Sequence, residues 1–220
     1  MKTNFIIIFL LILAVSCRPE VTDNERWLIK GNVTDPSGNP LENIKISTEG
    51  HLFKLGKDFT DENGKFEFTS LAFEGGYFEV HVNADSTQQN GGQKNWSTAA
   101  FYFSDTRNHN QIFEIDNIQL RPAAHLNLKI VGNPEISGNI KFRLNYISNV
   151  HIEVLDLEDN DFFENNQFFS RTIPLNQSFS KEFHSLLNTD VILTYRINDG
   201  NETQITIPLT ETENTYVLQL

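Results

Sequence analysis

The histidines and acidic side chains of this sequence are the groups that could bind a metal ion. No two of the six histidines have the i, i+4 spacing that places both on one helix face, and no His-Glu-x-x-His motif occurs. His151 and Glu153 alternate along one predicted strand and therefore share a face. A metal site needs roughly three or four ligands. We therefore predict structural roles for the histidines, no metal site and no cofactor.

The densest group of carboxylates extends from Asp156 to Glu164. Oxygen-rich loops bind Ca²⁺, and a cation would relieve the repulsion among such closely spaced carboxylates. The run lacks the glycine that forms the sharp turn of an EF-hand loop. The sequence therefore favours a solvated loop between strands and leaves calcium binding open.

The sequence lacks the patterns that accompany nucleophilic catalysis. It contains no Gly-x-Ser-x-Gly elbow, and its single cysteine, Cys17, lies in the N-terminal segment. The carboxylate pair of a glycoside hydrolase cannot be found from spacing, because the fold sets its separation. We predict that the protein is not an enzyme. A hydrolase would need a cleft with converging carboxylates, or with a histidine beside a carboxylate.

The N-terminal segment has the organisation of an export signal. Lys2 precedes an unbroken apolar run over residues 5–15, which is shorter than the roughly 20 residues of a transmembrane helix. The sequence Ala14-Val15-Ser16-Cys17 resembles a bacterial lipobox, in which small residues precede a cysteine that is lipidated after cleavage. We therefore predict a signal peptide over residues 1–16 and lipidation of Cys17, so that acyl chains anchor the protein to a membrane.

Residues 17–25 are predicted to be a polar, loosely acidic tether after the lipid anchor. Arg18 follows the cysteine, where lipoprotein sorting rules place an aspartate for retention in the inner membrane. This resemblance to bacterial lipoproteins, in particular those of Bacteroidota, implies a cell outer-membrane location on the periplasmic or the surface-exposed side. The formal net charge of −12 argues against nucleic-acid or anionic-lipid partners, which bind basic patches.

Residues 26–122 show the alternation of β-strands separated by turn signals. Trp27, Ile29 and Val33 fall on one side of an alternating run, and Asn63-Gly64 is typical of a hairpin tip. The segment Asp35-Pro36-Ser37-Gly38-Asn39-Pro40 is a second turn signal, because proline fixes φ and glycine permits positive φ. With no convincing helical period, this pattern predicts a β-sandwich.

One ordered series of residues carries a resemblance: Gly31, Val33, Asp35, Gly38, Pro40, Leu41, Ile44, Ile46, Thr60, Asp61, Asn63, Gly64, Phe66 and Phe68. In order and spacing, this series resembles the carboxypeptidase regulatory-like domain family. The resemblance implies a transthyretin-like β-sandwich that serves as a non-catalytic module of exported proteins. No catalytic residue can be carried over from it, and residues 84–98 would be an insertion relative to the family.

Residues 123–220 continue the β pattern and resemble no family. Leu126, Leu128 and Ile130 begin a series of alternating strands that reaches the C-terminus. The segment Arg121-Pro122-Ala123-Ala124 is too short for a flexible linker, so the two units are expected to touch. The predicted fold class is all-β, with two tandem β-sandwich domains, the first transthyretin-like. No repeat between them is visible beyond shared β patterning.

Two aromatic residues and one serine are candidate surface sites. Trp96 and Tyr102 lie beside the polar segment 84–98, and exposed aromatics next to Asn and Gln can stack on carbohydrate. Paired phenylalanines such as Phe168 and Phe169 are interpreted mostly as core. The tripeptide Asp85-Ser86-Thr87 resembles a short acceptor motif, which makes Ser86 a possible O-glycosylation site.

The sequence favours a non-catalytic, lipid-anchored cell-envelope protein that acts as a binding or scaffolding module. The alternative is a carbohydrate-binding lipoprotein of a glycan-uptake system. The partners implied are the membrane, through the N-terminal lipid anchor, and an envelope protein or a glycan. The identity of that partner is not encoded in any motif of the chain.

Overall fold

The computed structural model describes residues 21–51, 53–73, 77–84, 92–104, 106, 110–155, 161–163 and 166–220. These ranges contain the sixteen strands β1 to β16 and no α-helix, which confirms the all-β prediction. Within them, no helix has the length and apolar character needed to cross a membrane. The predicted signal peptide, Cys17 and Ser86 lie outside the described residues, as does most of the acidic run Asp156–Glu164.

The first sandwich packs a three-stranded sheet against a larger one. The small sheet has the order β4-β1-β7, and the larger sheet contains β3-β2-β5-β6. The strand β1 begins at Val21 and so includes residues 21–25 of the predicted tether. The strands are β1 Val21–Thr34, β2 Lys45–Gly50, β3 Phe53–Phe59, β4 Lys65–Phe73, β5 Phe78–Val82, β6 Thr98–Phe103 and β7 Ile112–Gln119.

An aromatic core lies between these two sheets. Trp27 of β1 contacts Phe78 of β5 and Phe113 of β7, with ring centroids 4.9 Å apart in both pairs. Phe103 of β6 contacts Phe113 at the same distance. Successive side chains of a strand point to opposite faces, so each of these residues is turned towards the facing sheet while its neighbours along the strand point away from it.

The second sandwich also has two sheets, with the orders β12-β9-β14-β15 and β13-β8-β16. Its core contains the predicted residues Leu126, Leu128 and Ile130, which are fully buried. The prediction of two β-sandwiches is therefore confirmed. The strands are β8 Ala123–Val131, β9 Asn139–Ile147, β12 Asn166–Pro174, β13 Phe179–Leu186, β14 Thr189–Ile197, β15 Thr203–Leu209 and β16 Glu213–Gln219.

The two sandwiches share one topology. In the first, β1 pairs antiparallel with β4 and parallel with the last strand, β7. In the second, β8 pairs antiparallel with β13 and parallel with the last strand, β16. The larger sheets correspond in the same way, β3-β2-β5-β6 to β12-β9-β14-β15. The structure thus reveals a topological repeat that the sequence pattern did not show.

One hairpin departs from this repeat and crosses between the sandwiches. The strands β10 Val150–Leu155 and β11 Asp161–Phe163 follow β9 in the chain, but β10 pairs in parallel with β6. The larger sheet of the first sandwich therefore has six strands, in the order β11-β10-β6-β5-β2-β3. The sequence pattern predicts these residues in the second sandwich, because alternation along a strand shows its faces but not its partner.

Backbone hydrogen bonds fasten the junction between the sandwiches. The amide of Ser97 donates to the carbonyl of Arg121 at 2.8 Å, and the amide of Ala123 donates to the carbonyl of Asn95 at 2.9 Å. The amide of Thr98 donates to the carbonyl of Asn149 at 2.9 Å. The predicted contact between the two units therefore consists of continuous backbone pairing.

Candidate functional site

A cleft opens where the six-stranded sheet extends beyond the small sheet of the first sandwich. The strand β7 is the edge of the small sheet, whereas β10 and β11 extend the facing sheet past β6. The cavity has a volume of about 510 Å³, within the roughly 300–1,000 Å³ that is usual for ligand pockets. Its polar lining includes Asp116, Asn117, Arg121, Asn149, His151, Glu153 and Asn166.

One wall of the cleft is a β-bulge in β7. Gly31 of β1 pairs with Ile115, but Val33 pairs with Ile118, so β7 has one extra residue. Asn117 takes a positive φ of 60° at this point, and its amide donates to the side-chain oxygen of Asn32 at 2.8 Å. Bulges redirect side chains and are frequent beside binding sites. Here the bulge brings Asp116 and Asn117 to the cleft.

Glycine is required opposite this bulge. A Cβ atom at Gly31 would lie 2.2 Å from the carbonyl oxygen of Ile115 and 2.7 Å from the ring of Phe66. Both distances are far below van der Waals contact, so the pairing of β1 with the bulge depends on the missing side chain. The glycine that interrupts the alternation of β1 in the sequence thus supports the wall of the cleft.

The opposite wall is formed by the hairpin strand β10. His151 and Glu153 face the cleft from it, and their Nε2 and Oε2 atoms lie 3.7 Å apart, which is too long for a hydrogen bond. Between the walls lie the buried apolar side chains of Ala99, Phe101 and Ile118. The cleft therefore has an apolar floor, and the hydrogen-bonding side chains around it include acidic and basic ones.

The cleft meets one condition stated above for a hydrolase, because a histidine lies beside a carboxylate. The general acid of a glycosidase lies in apolar surroundings, however, whereas Asp116 is exposed to solvent. Glu153 is half-buried and is not within hydrogen-bonding distance of His151. This arrangement suits the binding of a polar ligand better than acid–base catalysis.

The two predicted aromatic binding residues lie apart from each other. Trp96 precedes β6, forms a β-bridge with Pro122 and packs half-buried against the first core. Tyr102 lies near the other end of β6, half-buried and edge-on to Tyr77 at 6.2 Å. Six residues of extended chain span about 20 Å, so the two rings do not form one stacking surface.

Phe168 and Phe169 differ in environment. Phe168 on the edge strand β12 is 72% exposed and is one of the paired phenylalanines that do not belong to the core. Phe169 packs against the second core and carries the ammonium group of Lys181 over its ring, 4.6 Å from the centroid. Neighbouring residues of a strand point to opposite faces, and only one of the two phenylalanines can face the core.

Two histidines meet at the junction beside Trp96. His125 of β8 and His184 of β13 are cross-strand partners, and their Nδ1 atoms lie 2.8 Å apart. The Nε2 atom of His125 lies 3.2 Å from the carbonyl oxygen of Lys94 in the first sandwich. A carbonyl oxygen only accepts, so this Nε2 carries the proton, and the Nδ1 of a neutral His125 accepts from His184. Burial, followed by the effect of His125, lowers the pKa of His184.

Two groups of described residues have the geometry to hold a metal ion, and neither of them was identified from the sequence. They are His125, Glu182 and His184 in the second sandwich, and Glu49, Glu79 and His81 in the first. In each group a Glu-x-His pair on one strand, Glu182 and His184 of β13 or Glu79 and His81 of β5, meets a third residue from a neighbouring strand. Spacing along the chain therefore reveals only two of the three residues. One feature of the sequence could have indicated the cleft. The apolar residues Ile115 and Ile118 are three positions apart instead of two, and the extra residue belongs to the bulge.

The sequence matches no known family and no curated protein. Among solved structures, it is similar to the TIE protein of Bacillus anthracis, with 14% identity and a TM-score of 0.32, covering 90% of this chain and 34% of that one. The chain thus spans about a third of that protein's length.

It is also similar to the tip fimbrial protein Mfa3 of Porphyromonas gingivalis, with 10% identity, a TM-score of 0.31 and coverage of 83% and 82%. The shaft pilin SpaA of Lactobacillus rhamnosus GG gives 7% identity, a TM-score of 0.30 and coverage of 89% and 97%. These are general likenesses to other proteins, and they assign neither a family nor a function.

Proposed function

We propose that the protein is a non-catalytic, lipid-anchored protein of the cell envelope that acts as a binding or scaffolding module, with the cleft as its binding site. One observation carries this proposal. The second sandwich has a complete set of paired strands without β10 and β11, because β9 pairs directly with β12. The additional hairpin serves the other sandwich, where it forms a wall of the cleft.

The junction keeps the two walls in place. Thr98 at the start of β6 is hydrogen-bonded to Asn149, immediately before β10, and Ser97 is hydrogen-bonded to Arg121 after β7. Backbone pairing of this kind fixes the distance between β7 and β10 before a ligand arrives. A preformed cleft binds at a lower cost in conformational entropy, which suits a binding module.

Lipid anchoring rests on the resemblance of Ala14-Val15-Ser16-Cys17 to a lipobox. Stable attachment takes more than one acyl chain, and a lipidated N-terminal cysteine would supply them. The test is detergent phase partitioning of the wild type and of Cys17→Ala. We expect the wild type in the detergent phase and the variant in the aqueous phase. Recovery of both in the aqueous phase would exclude the anchor.

After an envelope protein, a carbohydrate is the second candidate ligand of the cleft. Carboxylate, amide and guanidinium groups of Asp116, Asn149 and Arg121 border an apolar floor that includes Phe101. A few polar groups around an apolar surface are the usual means of orienting a small polar ligand. The positions of these groups favour the cleft over Trp96 and Tyr102, which lie far apart, the first before β6 and the second near its end.

Binding can be tested on glycan arrays and by cross-linking in intact envelopes. The variants Arg121→Gln and Glu153→Gln change the walls of the cleft, and Lys141→Gln on the exposed face of β9 is a matched control. We expect both cleft variants to lose at least about tenfold in affinity, equivalent to about 1.4 kcal/mol, and the control to bind as the wild type does. Undiminished binding by both cleft variants would overturn the site, and turnover of a retained glycan would overturn the non-catalytic role.

A further inference from the structure

His81 of β5 is buried without hydrogen-bond partners. Its side chain is 1% exposed, and neither Nδ1 nor Nε2 makes a hydrogen bond of acceptable geometry, although two carboxylates lie within ion-pair distance of Nε2. Among the buried side chains that the structure describes, only this one is left unsatisfied. A buried polar group without a partner loses its hydration with no compensation, so such a group calls for an explanation, of which a bound ion is one.

Two carboxylates face the Nε2 atom of this histidine. Glu49 of β2 and Glu79 of β5 are direct cross-strand partners, and His81 follows Glu79 on the same face. The Nε2 atom lies 3.1 Å from Oε2 of Glu79 and 3.4 Å from Oε2 of Glu49. The three side chains thus direct one nitrogen and two oxygens at a common point.

The spacing of these atoms matches that of ligands around a metal ion. Bonds of about 2.0–2.1 Å place two ligands of a tetrahedral ion about 3.3 Å apart and those of an octahedral ion about 3.0 Å apart. The observed distance of 3.1 Å to Glu79 is close to the octahedral value, and that of 3.4 Å to Glu49 is close to the tetrahedral one. The same group of atoms therefore needs little movement to coordinate an ion.

Electrostatics favours a cation at this point. The side chains of Glu49 and Glu79 are only 11% and 22% exposed, and like charges directly opposite on adjacent strands are destabilising. Among the described residues, neither carboxylate forms an ion pair with a lysine or arginine. A divalent cation between them would neutralise both charges and be coordinated by Nε2 of His81.

We propose that Glu49, Glu79 and His81 bind a divalent transition-metal ion, of which Zn²⁺ is the fitting example. An imidazole nitrogen favours Zn²⁺ over Ca²⁺, whose ligands are oxygens, and carboxylates complete a borderline ligand set. Glu79 is the most exposed of the three ligands, so water reaches the ion from its side. The ion joins β2 to β5 and has a structural role in the larger sheet.

Zinc titration of the metal-free protein in detergent, with a chelating dye as competitor, tests this site. We expect the wild type to bind Zn²⁺, and His81→Gln and Glu49→Gln each to weaken that binding at least about tenfold. His184→Gln is the matched control, because it removes a ligand of the other candidate group. We expect a millimolar excess of Ca²⁺ to leave the bound Zn²⁺ in place.

Three outcomes would overturn the proposal: no Zn²⁺ binding by the wild type, equal binding by His81→Gln and Glu49→Gln, or displacement by Ca²⁺. Loss of binding in His184→Gln alone would place the ion at the other group and would also overturn it. Circular dichroism establishes that each variant is folded. If His81→Gln and Glu49→Gln fail to fold, Glu79→Gln is used in their place. The site is supported if Zn²⁺ raises the melting temperature of the wild type but not that of Glu79→Gln.

Discussion

The imidazoles of His125 and His184 face each other across β8 and β13, with their Nδ1 atoms 2.8 Å apart. His125 also holds the carbonyl of Lys94, so the pair connects the second sandwich to the first. The hydrogen bond between the rings requires a neutral acceptor, because a protonated imidazole has two donors and no acceptor. The hydrogen bond between the rings is therefore lost when both histidines are protonated, whereas the Nε2–H of His125 donates to Lys94 in either state.

The lowered pKa of His184 predicts a loss of stability in mild acid. Burial and His125 are the main causes, Lys94 adds to them, and Glu182 and Glu213 oppose them. Because the unfolded chain binds this proton more readily, stability is complete above about pH 6.5, the unfolded pKa, and declines as the pH falls through that value towards the folded one.

We expect the urea midpoint of the wild type to fall further between pH 7.5 and pH 5 than that of His184→Gln. His151→Gln controls for the general effect of removing a histidine. An equal decrease in all three proteins would show that the neutral pair does not contribute to the pH dependence.

Substitution of Gly31 should destabilise the first sandwich. In Gly31→Ala the new methyl group would overlap the carbonyl of Ile115 and the ring of Phe66. Overpacking of this kind costs about 1–3 kcal/mol. Chemical denaturation measures the change, and Ser137→Ala at an exposed turn should stay within about 0.5 kcal/mol of the wild type. Unchanged stability of Gly31→Ala would show that the bulge adjusts at little cost.

The ammonium group of Lys181 should stabilise the second sandwich at β12 and β13, which are edge strands of its two sheets. It lies over the ring of Phe169 at 4.6 Å and near that of Phe183 at 5.7 Å. Cation–π contacts at exposed sites contribute about 0.5–1 kcal/mol. Lys181→Gln should lose about that amount in urea denaturation, whereas Lys129→Gln on β8 should lose less. Equal effects of the two substitutions would argue for a simple charge effect.

The second sandwich should fold without the hairpin of β10 and β11. Ile147 and Asn166 are paired residues at the adjoining ends of β9 and β12, so Asn-Gly can replace residues 148–165 as a two-residue turn. We expect a folded protein that has lost the cleft and that associates through the uncovered edge of β6. Size-exclusion chromatography and circular dichroism measure both effects. Retained ligand binding by this variant would rule out the cleft as the binding site.

The alternation of side chains predicted the faces of many strands correctly. Trp27, Ile29 and Val33 are buried, and Gly64 at the predicted hairpin tip has a positive φ of 74°. These features depend on local sterics and on the period of a strand, which a short stretch of sequence contains.

The candidate sites could not be predicted in this way, because they depend on pairing between strands that are distant in the sequence. Glu49 meets His81 only through the pairing of β2 with β5, and His151 faces the cleft only because β10 pairs with β6. A strand can bond to any free edge that matches its faces, so local pattern does not select the partner. Lipidation of Cys17 and modification of Ser86 stay predictions.

The parallel pairing of β10 with β6 also affects how the chain folds. The larger sheet of the first sandwich is complete only after residues that follow two strands of the second have been positioned. Such non-local closure slows folding, because the entropy of ordering a long loop is lost before the contacts form. The two sandwiches should therefore melt in a single cooperative transition, as one folding unit with two cores.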